Sequence, residues 1–466
     1  MKLLMLLSVF FVQFTNKGGT DRIALSSIAI EMRQEQGIQI DSLDYAVSSI
    51  YLDSIEALGA KVLHTSRWMN GATVEANNEA IRTIEKCTFV DTIYLTRTDD
   101  ESFGTLSVSL RKIEEIDNEA SSDGLKASTR QLAQLNLLPL HKAGYKGKGI
   151  RIGIADGGFY RADSLEWLPK KNWLGYTDLT DDKEGIFGSS GNHGTLCLST
   201  IAAMRSDYEG AATEAEYYLF KTEEHATESI KEIDNWVAAI EMADSLGLHI
   251  VSTSLGYTTF DNENTNWQYA DMDGKTSRGA QAATIAARKG MLLIVAMGND
   301  GNKAWHYLST PADADSILSV GAVDGEGVIA AFSSYGPTAD GRVKPEVCAL
   351  GEQTSLLNAQ SGEVFMGNGT SFACPLIAGM AACLWSALPE ASNIEIREMI
   401  IRSTDRYTQP HEQYGYGIPD AWKAYTETTG VETPTQEKEY QKYLDANGQM
   451  YILYHGEKYT LLGNKI

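Results

Sequence analysis

The sequence predicts an α/β protein with a mainly parallel β-sheet, preceded by a small α+β domain of the ferredoxin-like type. From about residue 129, short apolar strand-like runs alternate with helical segments, the pattern of a parallel sheet covered by helices on both faces. Before that, residues from about 8 to 98 show the order β-α-β-β-α-β of a split ferredoxin-like unit. The polar stretch 99–128 between them predicts an exposed linker, where a protease would cut.

The first residues of the chain have two interpretations. Lys2 is followed by mostly apolar residues up to Phe14, which predicts a signal peptide over 1–14 and leaves 15–98 as the small domain. The alternative is that residues 8–15 form the first strand of that domain. Its other predicted elements are helices at 21–36, 51–58 and 78–86 and strands at 61–65, 72–75 and 89–96.

The larger domain is predicted to span residues 129–425. Its helical segments are predicted at 131–142, 194–204, 229–246, 278–289 and 371–388. Its strands are predicted at 150–156, 217–221, 249–254, 291–297 and 317–323. The remainder, 426–466, is predicted to be a Thr/Glu-rich linker over 426–439 followed by a small β-like tail over 449–466.

Composition excludes several classes of function. The chain of 466 residues has 39 basic and 62 acidic side chains, a net charge of −23, which argues against nucleic acid or an anionic membrane as a partner. After the N-terminal segment there is no apolar run long enough to span a membrane. Its five cysteines are scattered without Cys-x-x-Cys pairs, so neither a disulfide framework nor a zinc site is predicted.

Polar side chains follow several predicted strands at the point where each strand ends. Asp156, Ser254 and Asn299 occupy such positions, and parallel strands end at one edge of a sheet. Two predicted helix starts face the same edge, at Asn192-His193-Gly194-Thr195 and at Gly369-Thr370-Ser371. The sequence therefore predicts that an Asp, a His, a Ser and an Asn converge on one rim.

This set of side chains is what acyl transfer requires. The Ser371 hydroxyl must lose a proton to a base, a role that suits His193, and Asp156 can fix the tautomer of the imidazole. Asn299 can donate to an oxyanion together with the backbone N–H of Ser371. Each residue alone has a plainer explanation, because Asp at a strand end or Ser at a helix start is usually a cap. The conjunction, in the chain order Asp, His, Ser, is the stronger signal.

Several segments carry a resemblance to the subtilase (subtilisin-like) family of serine proteases. They are Ile152-Gly153-Ile154-Ala155-Asp156-Gly157-Gly158, His193-Gly194-Thr195, Ser252-Thr253-Ser254-Leu255-Gly256, Val295-Ala296-Met297-Gly298-Asn299-Asp300-Gly301, and Gly369-Thr370-Ser371-Phe372-Ala373-Cys374-Pro375 with Gly379. The resemblance covers roughly residues 130–425, and it implies a subtilisin-like three-layer fold.

The resemblance also implies a function. It implies a serine endopeptidase that hydrolyses peptide bonds of protein or peptide substrates through an acyl-enzyme, without a required cofactor. It implies that the small domain is a propeptide that inhibits its own protease, and that the protein is exported: secreted, periplasmic or on the cell surface. The implied substrate-binding residues are Ser254, Leu255, Gly256, Ala296 and Gly298.

Some positions depart from the family pattern or admit another interpretation. The usual Asp-Ser/Thr-Gly is Asp156-Gly157-Gly158, and Leu196-Cys197-Leu198-Ser199 replaces the common His-Val-Ala-Gly. Structural calcium is possible, but no calcium loop of the family is recognisable, and Asp271-Met272-Asp273-Gly274 is better explained as an acidic turn. Cys374, inside a predicted helix, is expected to be a packing residue rather than a thiol nucleophile. Pro375 is expected near the first turn of the same helix, where its missing N–H costs little.

Two other functions compete with the protease. An esterase or lipase of the α/β-hydrolase type predicts a Gly-x-Ser-x-Gly elbow followed by Asp and then His, whereas here the serine comes last. A binding protein on a decayed protease scaffold predicts the loss of at least one catalytic residue, and all four are present.

Overall fold

The computed structural model describes residues 7–98, 126–189 and 191–430, together with three short strands beyond them. The N-terminal domain has a four-stranded antiparallel sheet in the order β2-β3-β1-β4, which confirms the predicted α+β domain. Its elements are β1 Ser8–Phe14, α1 Ser27–Glu35, α2 Ser49–Ala57, β2 Lys61–Ser66, β3 Gly71–Ala76, α3 Asn78–Ile84 and β4 Val90–Arg97.

Strand β1 corrects the boundary drawn after residue 14. It pairs with β3 on one side and β4 on the other, so it is a central strand. Phe10, Val12 and Phe14 pack into the core of their own domain, whereas Phe11 packs into the core of the larger domain. Residues 8–14 therefore belong to the N-terminal domain. Residues 1–6 of the predicted signal peptide and residues 99–125 of the predicted linker lie outside the described residues.

The larger domain is built on a seven-stranded sheet in the order β13-β12-β11-β10-β5-β9-β6. Every strand pair in it is parallel, which confirms the predicted α/β class. The strands from β5 onward are β5 Arg151–Asp156, β6 Trp173–Asp178, β7 Met204–Arg205, β8 Tyr208–Glu209, β9 Glu216–Lys221, β10 Ile250–Thr253, β11 Leu292–Ala296, β12 Leu318–Val323, β13 Val347–Leu350, β14 Thr354–Leu357 and β15 Val364–Gly367. The helices are α4 Thr129–Gln134, α5 Leu138–Lys142, α6 His193–Ala202, α7 Ile230–Leu246, α8 Arg278–Arg288, α9 Thr370–Ala387, α10 Asn393–Arg402 and α11 Ala421–Thr429.

Helices cover both faces of this sheet, as the side chains of β10 show. Thr253 accepts a hydrogen bond from the indole of Trp236 on α7, whereas its neighbour Ser252 contacts Cys374 on α9. Because adjacent strand residues point to opposite faces, α7 and α9 lie on opposite sides of the sheet. Helix α9 is long and apolar enough to span a membrane by length and composition, but it is almost entirely buried in the protein, as a core helix is.

Two local predictions need correction. The single helix predicted over 131–142 is two helices, because Asn136 adopts a left-handed conformation (φ 47°) between them. The C-terminal tail forms a separate unit in which β16 Tyr440–Leu444, β17 Met450–Tyr454 and β18 Glu457–Thr460 make an antiparallel sheet. The first of these strands was not predicted, and residues 431–439, 445–449, 455–456 and 461–466 lie outside the described residues.

Candidate active site

The residues singled out at strand ends and helix starts lie on one edge of the seven-stranded sheet. Asp156 is the last residue of β5, Ser254 directly follows β10, and Asn299 comes three residues after β11. His193 is the first residue of α6, and Ser371 is the second residue of α9. Because the three strands are parallel, their carboxyl ends meet at this edge.

Asp156 holds His193 in a defined orientation. The Asp156 carboxylate is fully buried, and its Oδ1 lies 2.7 Å from Nδ1 of His193. The same oxygen accepts a hydrogen bond from the backbone N–H of Gly157, also at 2.7 Å. This places the proton of the neutral imidazole on Nδ1 and leaves Nε2 as the proton acceptor.

The electrostatics of this pair favour a charged imidazole. Burial lowers the pKa of His193, but the charge and hydrogen bond of Asp156, together with the contact with Cys197, outweigh burial, so this pKa lies well above its usual value. Cys197 packs against the same ring, with Sγ 3.8 Å from Nδ1, and burial raises the pKa of its thiol. The thiol is therefore neutral near pH 7, and Asp156 is the group that stabilises the imidazolium.

Ser371 is tied to the segment that follows β10. Its hydroxyl donates to the carbonyl oxygen of Ser254 at 3.3 Å, and among the described residues it has no hydrogen bond to His193. The structure thus brings Asp156 and His193 together directly and places Ser371 at the same rim without the serine–imidazole bond. Such bonds are often long without substrate and tighten in the substrate complex.

Pro375 explains how the backbone below the serine is held. It lies in the second turn of α9, not in the first as the sequence suggested, so its missing N–H leaves the carbonyl of Ser371 without its helical partner. The hydroxyl of Ser254 donates to that carbonyl at 2.8 Å, and the thiol of Cys197 donates to it at 3.4 Å. Ser254 and Ser371 therefore bond to each other twice, which fixes the serine against the segment after β10.

Asn299 is oriented to donate from its amide nitrogen. Its Oδ1 accepts hydrogen bonds from both the backbone N–H and the hydroxyl of Thr370, each at 2.8 Å. The amide nitrogen consequently faces Gly369, where an added Cβ would lie 3.5 Å from Nδ2. Together with the backbone N–H of Ser371, this nitrogen offers donors to an oxyanion formed at Ser371.

The predicted substrate-binding residues form the edges of the rim beside Ser371. Leu255 and Gly256 continue β10 beyond the sheet, while Ala296 ends β11 and leads to Gly298. Gly298 has φ 109°, and a Cβ there would approach Ser334 Oγ to 2.8 Å, so the chain needs glycine at this position. Gly256 is exposed, which leaves its backbone available to an added strand.

Two residues at this rim were not among the predicted site residues. Cys197 is four residues after His193 on the same helix, and this i, i+4 spacing places it against the imidazole. Glu223 lies two residues after β9, and its carboxylate accepts a hydrogen bond from Tyr257 at 2.7 Å. Burial raises the pKa of Glu223 to about 7. The strand-end rule that identified Asp156 would have identified Glu223 as well.

The acidic turn at 271–274 is held by local hydrogen bonds. Asp271, in the short helix Tyr269–Asp271, accepts from the backbone N–H of Gln268 at its start, and Asp273 accepts bonds from the backbone N–H groups of Lys275 and Thr276. These contacts are those of a capped turn.

Comparisons with known proteins cover both domains. The model of the subtilase family matches residues 147–417, more than half of the chain. A second model, described as the peptidase S8 propeptide domain of Bacteroidota, matches residues 9–106 and so includes nearly all of β1.

Curated relatives agree with these matches at modest identity. The thermostable alkaline protease of Halalkalibacterium halodurans is 28% identical over 62% of this chain and 71% of its own length. The minor extracellular protease Epr of Bacillus subtilis is 29% identical over 67% of this chain and 44% of its own length. Subtilisin BL of Lederbergia lenta is 28% identical over 60% of this chain and 92% of its own length. With its strand order, its converging rim and these matches, the chain belongs to the subtilase family of serine peptidases and carries a propeptide domain of the Bacteroidota S8 type.

Proposed function

We propose that this chain is a serine endopeptidase in which Asp156, His193 and Ser371 act as the catalytic triad. The observation that carries the proposal is the hydrogen bond between the buried carboxylate of Asp156 and His193 Nδ1. It lies at the rim where Ser371 is the second residue of the core helix α9. His193 Nε2 takes the proton of the Ser371 hydroxyl as its oxygen attacks the scissile carbonyl. The imidazolium then gives that proton to the leaving amine, and an acyl-enzyme remains until water hydrolyses it.

Asn299 and the helix start complete this mechanism. As the carbonyl becomes tetrahedral, negative charge collects on its oxygen, and Asn299 Nδ2 and the Ser371 N–H donate to that oxygen. The substrate backbone adds as a strand along Ser254, Leu255 and Gly256. No step needs a cofactor, because the chain supplies the nucleophile, the base and the oxyanion donors.

The N-terminal domain is proposed to inhibit the protease within a precursor. It covers α7 and α8 through buried ion pairs, including Arg33 with Asp244 at 2.8 Å and Arg67 with Glu241 at 3.4 Å. The side chain of Arg278 on α8 lies over the ring of Phe11, 4.7 Å from its centroid. Helix α7 begins beside the loop that carries Glu223, so this contact holds the domain next to the rim. Export is the proposed destination, supported by the extracellular relative and the propeptide match.

Hydrolysis of a denatured protein such as casein tests the proposed function. The full chain is expressed, allowed to mature, and assayed beside Ser371→Ala and the matched variant Ser386→Ala on the same helix. We expect hydrolysis by the wild-type chain and by Ser386→Ala, and none above background by Ser371→Ala, with activity surviving dialysis against a chelator. Equal hydrolysis by all three proteins would contradict the proposal, and no hydrolysis by any matured protein would favour a binding scaffold.

Asn299→Ala is expected to lower kcat by about 10²–10³-fold with little change in KM, because an oxyanion donor acts mainly in the transition state. The subtilisin asparagine is the known case behind that range. Steady-state kinetics on a chromogenic peptide measure both parameters. A matching rise in KM with unchanged kcat would mean that Asn299 binds the ground state instead.

The pH dependence of kcat/KM is expected to follow the raised pKa of His193. Only the neutral imidazole accepts the serine proton, so activity should rise with pH through this pKa, which Asp156 holds above the usual value near 6.5. The acid limb of the profile should therefore lie above pH 6.5. An acid limb below that value would show that burial, and not the charge of Asp156, dominates at His193.

Cys197→Val is expected to retain activity within about threefold, because the thiol is neutral and packs without supplying a proton. Hydrolysis assays on the variant check this directly, and small thiol-alkylating reagents should leave the native wild-type enzyme active since Cys197 is only 1% exposed. Loss of activity of 100-fold or more in Cys197→Val would assign the thiol a chemical role.

A further inference from the structure

The N-terminal domain places a basic side chain on the rim of the proposed cleft. Arg97 is the last residue of β4, and its Nη1 donates to Oε2 of Glu224 at 2.6 Å. Its Nη2 also lies 3.7 Å from Oδ2 of Asp181. Both acceptors belong to the larger domain, so a guanidinium from one domain is bound by carboxylates of the other.

Glu224 is held in position independently of Arg97. Its side chain is only 6% exposed. One carboxylate oxygen, Oε1, accepts from Lys231, which also pairs with Asp181 at 2.6 Å. Its backbone N–H donates to Glu232 Oε1 at 2.8 Å. These contacts leave Oε2 directed toward Arg97, and among the described residues its one other hydrogen bond comes from the Thr227 hydroxyl at 3.5 Å.

Glu224 follows the strand that neighbours the one carrying Asp156. Glu224 is three residues beyond the end of β9, whose neighbour in the sheet is β5, the strand that ends at Asp156. The backbone N–H of Thr222 donates to the carbonyl of Asp156 at 3.1 Å. The next residue, Glu223, accepts from Tyr257, which directly follows the predicted substrate segment 254–256. Glu224 therefore extends the same rim that Asp156 and the substrate segment form.

Two basic and two acidic side chains meet at this point of the rim. Arg97 and Lys231 together neutralise Glu224 and Asp181. When the N-terminal domain leaves, Oε2 of Glu224 loses its charged partner while the side chain remains held by Lys231. The departure of the domain also opens Oε2 to solvent, where a basic group of a substrate can form the charge-assisted hydrogen bond that Arg97 supplied.

We propose that Glu224, assisted by Asp181, forms an acidic subsite that selects substrates with an arginine or lysine on the N-terminal side of the scissile bond. The proposal rests on the proposed endopeptidase function. Arg97 is the occupant of this subsite in the precursor. It precedes the predicted linker 99–128 in which the cut is expected, so it lies on the N-terminal side of that bond. Glu224 determines specificity and takes no part in bond breaking.

Paired peptides test this subsite on the matured enzyme. Each pair places either arginine or its neutral isostere citrulline at one position, from the second to the sixth residue before a fixed scissile bond. At one of these positions we expect kcat/KM to be about tenfold higher for arginine, the size of one charge-assisted hydrogen bond at a partly exposed site. In Glu224→Gln this ratio should fall to about one.

Two further variants make the outcome decisive. Asp207→Asn removes one negative charge from the ion pair with Arg205 in the β7–β8 hairpin and should leave the ratio at its wild-type value. If Glu224→Gln fails to mature, Asp181→Asn, at a half-exposed position, should lower the ratio by about threefold. An arginine-to-citrulline ratio near one at every position, or a ratio unaffected by Glu224→Gln, would overturn the subsite while hydrolysis itself continues. Hydrolysis of neither peptide would instead overturn the proposed function.

Discussion

Ser371→Ala is expected to lower kcat by about 10⁶-fold, the size of the loss when subtilisin loses its triad serine. The physical reason is that no other group at the rim replaces the nucleophile, while the Asn299 amide and the substrate segment still bind the substrate. The variant should still hydrolyse the peptide about 10³–10⁴-fold faster than the uncatalysed reaction, because substrate binding and the oxyanion donors are intact. Steady-state and single-turnover assays on a peptide substrate measure both quantities.

The double variant Ser371→Ala/His193→Ala gives the control for this expectation. Because Ser371 and His193 act as one unit, replacing His193 in the Ser371→Ala variant should lower kcat only slightly further. A further loss of 100-fold or more in the double variant would contradict a shared function of the two residues.

Asp156→Asn is expected to lower kcat by about 10⁴-fold while the fold is retained. The amide is nearly isosteric with the carboxylate, but it carries no charge and can hold the imidazole in the wrong tautomer. Since the charge of Asp156 is what raises the pKa of His193, the acid limb of the pH profile should also move to lower pH in this variant. The kcat and the profile are measured on the same peptide, with circular dichroism to verify folding.

A modest change would argue against the triad assignment. If Asp156→Asn kept kcat within tenfold of the wild type and left the acid limb in place, then Asp156 would be a structural cap of the turn at Gly157 and not the partner of His193. The hydrogen bond that the backbone N–H of Gly157 donates to the Asp156 carboxylate is the contact that such a cap would make.

The site could be predicted largely because its residues follow general rules of parallel sheets. Asp156, Ser254 and Asn299 were identified from strand ends alone, and those strand ends meet because β5, β10 and β11 are adjacent and parallel. The same rule also applies to Glu223, which lies two residues after β9, the strand on the other side of β5. Glu223 was not predicted as a site residue, because its contact with Tyr257 joins segments that are distant in the chain.

Other features could not be predicted because they depend on contacts between the two domains. Strand β1 is buried on both faces, with Phe10 toward its own core and Phe11 toward the larger domain, so its sequence is mostly apolar, with Gln13 as the one polar residue between Val9 and Phe14. Such a run has the same composition as the apolar region of a signal peptide. The Arg97–Glu224 ion pair likewise joins residues 127 positions apart, so no local sequence pattern predicts it.

In helix α9, Pro375 lies one turn further from the helix start than the sequence predicts. Proline in the first turn of a helix is normally harmless, because its missing N–H would have no partner there. In the structure it lies deeper, and the carbonyl that it frees is the one that Ser254 binds. The proline therefore helps to hold Ser371, a role visible only when β10 and α9 are seen together.

Covalent labelling with a fluorophosphonate probe, located by peptide mass spectrometry, tests the central claim most directly. The probe reacts only with an activated serine hydroxyl, and the matured wild-type enzyme is compared with Ser371→Ala and Asp156→Asn. We predict stoichiometric labelling of Ser371 in the wild type, none in Ser371→Ala, and strongly slowed labelling in Asp156→Asn. Folded, matured enzyme that takes up no label, or takes it up on a serine other than Ser371, would contradict the assignment of Ser371 as the nucleophile.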